Sequence, residues 1–238
     1  MGRAFEYRKA TKMKRWANMA KTFTKVGREI ALAVRDGGPD PKYNSRLRLA
    51  MNNAKAANMP KANVESAIKK ASSKEMDNFQ EIVYEGYGPY GIPIIVETQT
   101  DNPVRTVANI RMYFNRGGGA LGTSGSVDYM FSRKGVFKFK SEGVNIDELE
   151  LELIDHGLEE LKLEDDEVVA YCTFEDFGSL QKAIEDKNIE ISNAELQRIP
   201  NVAKEVTDEQ AEEVIKLIDR IEEDDDVMNV FHGMDMSE

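Results

Sequence analysis

Charge is segregated along this 238-residue chain, and the split falls early. Residues 1–74 carry eighteen Lys or Arg against five Asp or Glu, a net of +13, while residues 75–238 carry fourteen against thirty-eight, a net of −24. The overall charge of −11 therefore hides a strongly basic head on an acidic body. A chain of this length has room for more than one compact domain. A basic face attracts phosphate, and releasing the counterions around nucleic acid supplies most nonspecific affinity. The acidic body opposes that attraction, so the head is expected to lead the contact, with the body held away or turned to a protein partner.

In the head, Trp16, Met19, Phe23, Val26, Ile30 and Val34 recur at steps of three and four, one stripe of an amphipathic helix. Asp36-Gly37-Gly38-Pro39 ends it with a C-terminal glycine signal and a following proline. Ser45 is the expected N-cap of a second helix reaching about Asn58, and Pro60 suits the first turn of a third, with Val64, Ala67, Ile68 and Ala71 inward. The sum is a three-helix bundle whose exposed residues are largely Lys, Arg and Asn. The arm before Trp16 adds Arg8, Lys9, Lys12, Lys14 and Arg15 and is expected to be mobile without a partner. With Lys21, Lys25, Arg28, Arg46, Arg48 and Lys55 of the bundle, these are the candidate nucleic-acid contacts. The alternative is that they merely solvate a small bundle. Helices two and three resemble a helix-turn-helix only loosely.

The body reads as α+β. Ile82–Tyr87 and Ile92–Thr98 form paired strands around Gly88-Pro89-Tyr90-Gly91. Asp101 or Asn102 caps a helix with Pro103 in its first turn and Val104, Val107, Ile110 and Phe114 inward, and a strand is expected near Val127–Phe131. Residues 135–200 run strand, helix, strand, strand, helix, strand, the ferredoxin-like plan. A last helix over Asp208–Glu222, with Ala211, Val214, Ile215, Ile218 and Ile221 inward, and a strand at Val227–His232 cannot make a core alone. They are expected to return and complete the first α+β unit. The expected domains are therefore 1–78, a discontinuous 79–133 with 203–238, and an inserted 134–202.

Chemistry-bearing motifs are sparse. The stretch Gly117–Gly125 follows a helix and lacks a Gly-Lys-Ser/Thr ending, so it matches neither a P-loop nor a dinucleotide fingerprint. A partner-touching loop is expected there, with Arg105, Arg116, Gly118, Thr123 and Ser124 as a secondary anionic contact. Tyr84, Tyr87, Tyr90 and Tyr129 are either base-stacking platforms or core. Two histidines and one cysteine make no zinc pattern, and Glu222–Asp226 reads as a solvated connector. No cofactor, metal or catalytic residue is expected. There is no apolar run long enough to span a membrane and no apolar segment of a secretory signal, and the lone Cys172 fits a reducing compartment; the cytoplasm is expected.

Several stretches together carry a resemblance: Arg15-Trp16-Ala17-Asn18, Asn44-Ser45-Arg46-Leu47-Arg48-Leu49-Ala50 and Lys55-Ala56-Ala57-Asn58-Met59-Pro60 in the head. The body adds Tyr84-Glu85-Gly86-Tyr87-Gly88-Pro89, Thr100-Asp101-Asn102, Leu121-Gly122-Thr123-Ser124-Gly125-Ser126-Val127 and Asp225-Asp226-Val227-Met228-Asn229-Val230-Phe231-His232. In this order, over nearly the whole chain, they resemble the YebC/PmpR family, which includes the mitochondrial translational activators of cytochrome oxidase. Where the family usually opens with Gly-His-Ser-Lys, this chain has Arg3-Ala4-Phe5-Glu6-Tyr7. The resemblance implies three domains with a discontinuous middle one and a nonenzymatic regulator of gene expression. Its substrate is DNA for a transcriptional regulator, or ribosomal or messenger RNA for a translation factor.

Overall fold

The computed structural model describes residues 21–72, 79–164 and 166–235. Helix α1 occupies residues 21–37 and closes where Gly38, at φ 82°, donates its N–H to Val34 O at 2.8 Å. Helix α2 (Ser45–Ala56) begins one residue earlier than a Ser45 cap requires: Asn44 is the N-cap, accepting from Leu47 N at 2.9 Å. The physical reason is that an amide both accepts and donates. The Asn44 amide nitrogen also donates to Ala33 O and Gly38 O, which ties the end of α1 to the start of α2. Helix α3 (Lys61–Ala71) follows Pro60. Val26, Ile30, Ala33, Val34, Leu47, Ala50, Ala54 and Val64 make a core of their own.

The acidic part holds two antiparallel sheets. Strands β1 (Gln80–Tyr87) and β2 (Pro93–Thr100) pair as a hairpin, followed by α4 (Pro103–Arg116), capped by Asn102, and the short strand β3 (Ala120–Leu121). The chain then runs β4 (Phe131–Lys140), α5 (Ile146–Ile154), β5 (Leu158–Glu164), β6 (Glu167–Thr173), α6 (Phe177–Asp186) and β7 (Ile191–Pro200), the four strands forming the second sheet. Its spatial order β5-β6-β4-β7 is that of a ferredoxin-like sheet, and α5 and α6 contribute Leu149, Leu153, Leu180 and Ile184 to the core with Phe137, Phe139 and Val168. Helix α7 (Asp208–Glu222), opened by a Thr207/Gln210 capping box, leads to β8 (Val227–His232). Strand β8 pairs with β2, giving the first sheet the order β3-β1-β2-β8. Helices α4 and α7 cover one face of it through Ile110, Phe114, Val214, Leu217, Ile218 and Ile221.

Three local expectations change. Val104 is 78% exposed, because the inward side of α4 is Thr106, Ile110 and Phe114. On α7 it is Leu217 that is buried, with Ile215 at the edge of the stripe. No strand forms over Val127–Met130: a 3-10 turn spans Asp128–Met130, since the Val127 and Asp128 N–H groups are drawn to a side chain instead of a ladder. The ladder begins at Phe131.

Candidate nucleic-acid interface

The candidate cations of the bundle have partners in the body. On α1, Lys21, Lys25 and Arg28 share one side at steps of four and three. The Lys21 ammonium donates to Glu223 O at 3.3 Å and Lys25 to Met228 O at 3.3 Å. Arg28 donates to Gln99 O at 3.3 Å and to Asp225 O, and lies 3.9 Å from Asp226. Its guanidinium also sits over the Phe79 ring. Arg35 adds a bond to Phe79 O at 2.8 Å. Of these acceptors, Glu223 O, Asp225 O and Asp226 stand at or just past the C-terminus of α7, where the helix dipole is negative. Burial, more than its charged neighbours, holds the Lys25 ammonium below its ordinary pKa.

On α2, Arg46 bridges Asp36 at 2.6 Å and Glu81 at 2.7 Å, Arg48 reaches Glu185 at 3.5 Å and Pro41 O at 2.8 Å, and Lys55 pairs with Glu190. Leu49 enters the ferredoxin-like core, so α2 lies between two units. Lys42, Lys61 and Lys69 are exposed, and Lys61 faces Glu65 of its own helix at 3.8 Å. Arg8, Lys9, Lys12, Lys14 and Arg15 lie outside the described residues.

The glycine-rich loop holds an anion, and the anion belongs to the protein. The Glu85 carboxylate on β1 accepts from the backbone N–H of Gly125 at 2.7 Å, Val127 at 2.8 Å and Asp128 at 2.9 Å. Burial pushes its pKa up, but these three bonds and Arg198 outweigh it, and the group titrates below the usual carboxylate range. The loop presses on the hairpin: a Cβ on Gly119 would stand 2.3 Å from Tyr87 O, so no side chain fits there.

Arg105 is likewise committed, to Asp226 at 2.8 Å and Asp101 at 3.0 Å. Asp226 is 4% exposed and also accepts from Thr106 and Thr100. Of the secondary set, Arg116, Gly118, Thr123 and Ser124 stay exposed. Among the tyrosines, Tyr129 is 70% exposed, while Tyr87 donates its hydroxyl to Ser126 O and Tyr90 to Glu213.

Between head, first sheet and second sheet lies a cavity of about 610 Å³, lined among others by Glu29, Arg46, Glu97, Phe174, Gln181 and Arg198. Burial pushes the Glu29 carboxyl up to about 7, Glu195 adding to the effect against Arg46 and Asn53. Cys172 is fully buried, its thiol pushed up to about 12 by that burial. Among the described residues no group of three or more His, Cys, Asp or Glu is arranged to hold a metal ion, and no described helix is long and apolar enough to cross a membrane.

Glu85, Asp226 and Glu29 escape sequence reasoning, which sees acidic residues in an acidic chain. The signal for Glu85 is its place two residues before Tyr87-Gly88-Pro89, flanked on the strand by the uncharged Tyr84 and Gly86. The others carry none.

Comparison with known proteins agrees with this architecture. Residues 3–74 match the model of the TACO1/YebC N-terminal domain and residues 79–234 that of the TACO1/YebC second and third domain. A protein of Porphyromonas gingivalis called a probable transcriptional regulatory protein is 57% identical over 235 residues, covering 98% of this chain and 97% of the relative. Proteins of the same description from Flavobacterium johnsoniae (55% identical; 98% of this chain, 99% of the relative) and Myxococcus xanthus (49%; 98% and 100%) match as fully. The crystal structure of a conserved hypothetical protein from Aquifex aeolicus superposes with a TM-score of 0.79 at 38% identity, over 92% of this chain and 91% of that one. With both family models matched in order along nearly its whole length, the chain belongs to the TACO1/YebC family.

Proposed function

We propose that this protein is a nonenzymatic, cytoplasmic, nucleic-acid-binding regulator of gene expression, and that it is a DNA-binding transcriptional regulator working through its basic head. The observation that carries the reading is a net charge of +13 over residues 1–74, of which the described helices pack an apolar core of their own with Lys and Arg outside it. The description shared by its relatives, probable transcriptional regulatory protein, supports it. We read the chain as three units, 1–78, 79–133 with 203–238, and 134–202, because β8 pairs with β2 while β4 to β7 make a separate sheet and core.

In this reading Arg8, Lys9, Lys12, Lys14 and Arg15 lead the contact, with the exposed Lys61 and Lys69 of α3. Lys21, Lys25, Arg28, Arg46, Arg48 and Lys55 join by exchanging their carbonyl and carboxylate partners in the body for phosphate. Arg116 and the exposed Gly118, Thr123 and Ser124 form a second, smaller contact. Replacing one contacting Lys by Ala lowers the slope of log affinity against log salt by about one; unchanged slopes across the set refute the assignment.

RNA, ribosomal or messenger, is the second reading, and one observation favours it. Helix α2 is packed between two units and its cations are turned to the body, so it is not offered as a helix for reading base edges in a groove. Shaped RNA is recognised by phosphate and form without one. Crosslinking in living cells followed by sequencing separates the two: discrete promoter DNA supports the first, a defined patch of ribosomal RNA or a set of messages the second.

A further inference from the structure

The cations on which a nucleic acid would close are already closed on something. On α1, Lys21 and Arg28 meet main-chain carbonyls at Glu223 and Asp225, and Arg28 meets the Asp226 carboxylate. On α2, Arg46, Arg48 and Lys55 meet Glu81, Glu185 and Glu190, one from the first sheet and two from the ferredoxin-like unit. Every acceptor is an oxygen bearing full or partial negative charge, the kind of partner a phosphate oxygen also offers.

We propose that the acidic body is a built-in competitor of nucleic acid: it occupies the phosphate-binding face of α1 and α2, and nucleic acid binds that face as the head comes away from the body. The inference rests on the nucleic-acid reading above and adds to it what holds the α1 and α2 face shut and what opens it.

Three observations support a contact that opens. The head has a core that uses no residue of the body, so it keeps its shape on release. Two of the ion pairs made by α2 are solvent-facing: the Lys55 and Glu190 side chains are 77% and 79% exposed, those of Arg46 and Glu81 45% and 47%, whereas Arg28 and Asp226 form a closed pair. Exposed pairs are individually weak and screened by salt. The apolar anchors are few, Leu32 beside Phe79 and Leu49 against the ferredoxin-like core. An interface of this make resembles a transient one.

The test uses the full chain and two triple variants of equal net charge. One, Glu81→Gln with Glu185→Gln and Glu190→Gln, removes acceptors that touch the head. The other, Glu150→Gln with Glu205→Gln and Glu209→Gln, removes exposed carboxylates that make no ion pair with the head among the described residues. Affinity is read by fluorescence anisotropy with two probes, a short random-sequence DNA duplex and an RNA hairpin. Small-angle scattering reads the separation of head and body. The contact triple is expected to bind about fivefold tighter or more than the control triple, the low end of ordinary coupling between sites, and to have a larger radius of gyration. Equal affinity gains in the two triples overturn the proposal, because the body's charge then acts at a distance, while the nucleic-acid reading survives. Failure of parent and both variants to bind either probe removes the nucleic-acid reading and the competition with it. The charge swap Lys55→Glu with Glu190→Lys is a further check: it restores the compact radius that Lys55→Glu alone loses, and a swap that stays expanded counts against the contact.

Discussion

Replacing Glu85 tests whether the glycine-rich loop is organised by an internal anion. The carboxylate is buried and accepts three backbone N–H bonds, from Gly125, Val127 and Asp128, at 2.7 to 2.9 Å. A hydrogen bond to a charged group contributes about 1.5–3 kcal/mol net. The three share one carboxylate, and the Gly125 side of the loop is exposed, so water replaces part of what is lost. Glu85→Ala is therefore expected to cost about 3 kcal/mol, nearer one strong bond than the sum of three. For a chain of this size that corresponds to a fall of roughly 6–12 °C in the thermal midpoint. Glu85→Gln keeps the volume and one acceptor but turns an N–H₂ toward donors, and recovers less than half of the loss.

Amide exchange by NMR gives the local readout, with protection at Val127 and Asp128 falling about tenfold or more in both variants. The pH dependence has a definite sign. The native carboxyl titrates below its ordinary 4.5, so its stabilisation is fully present above about pH 4.5 and is lost as pH falls through the lowered native value. The Gln variant lacks that acid-side loss. Parallel acid profiles in parent and Glu85→Gln, with unchanged protection at Val127 and Asp128, refute the reasoning.

Two further outcomes follow from buried carboxylates elsewhere. Asp226→Asn leaves Arg105 and Arg28 facing an amide in a nearly closed site and is expected to cost about 3 kcal/mol, the low end for breaking a buried pair; a denaturant midpoint within error of the parent contradicts it. Glu29 has a native value raised from 4.5 to about 7, so its contribution is intact below about pH 4.5 and is lost as pH rises through 7. Glu29→Gln is accordingly expected to raise the thermal midpoint relative to the parent at pH 8 but not at pH 4, and a gain of equal size at both pH values contradicts burial of the charge as the cause.

Much of the fold was legible in local pattern. The glycines after Val34, Pro103 in a first turn, and the alternation through residues 135–200 each act within a few residues, so they survive whatever packs around them, while Pro60 stands one residue ahead of its expected first turn, as the N-cap of α3. The return of β8 to β2 was readable as well, because one helix and one strand cannot bury their own apolar faces. Errors fell where a side chain took over a backbone partner: Asn44 displaced Ser45 as cap by bonding α1 as well, and Glu85 drew Val127 and Asp128 out of a strand.

The candidate interface was legible in sign and not in partner. Sequence alone determined that this chain has a basic head, an acidic α+β body with a ferredoxin-like insertion, and a glycine-rich loop suited to an anion. Only the tertiary structure decided that Glu85 is that anion and that Lys21, Lys25, Arg28, Arg46, Arg48 and Lys55 face the body. The reason is physical: helices, turns and strands follow from interactions between near neighbours, whereas a charge is neutralised by whichever opposite charge folding brings within reach, as Asp226 near the end of the chain is brought to Arg28.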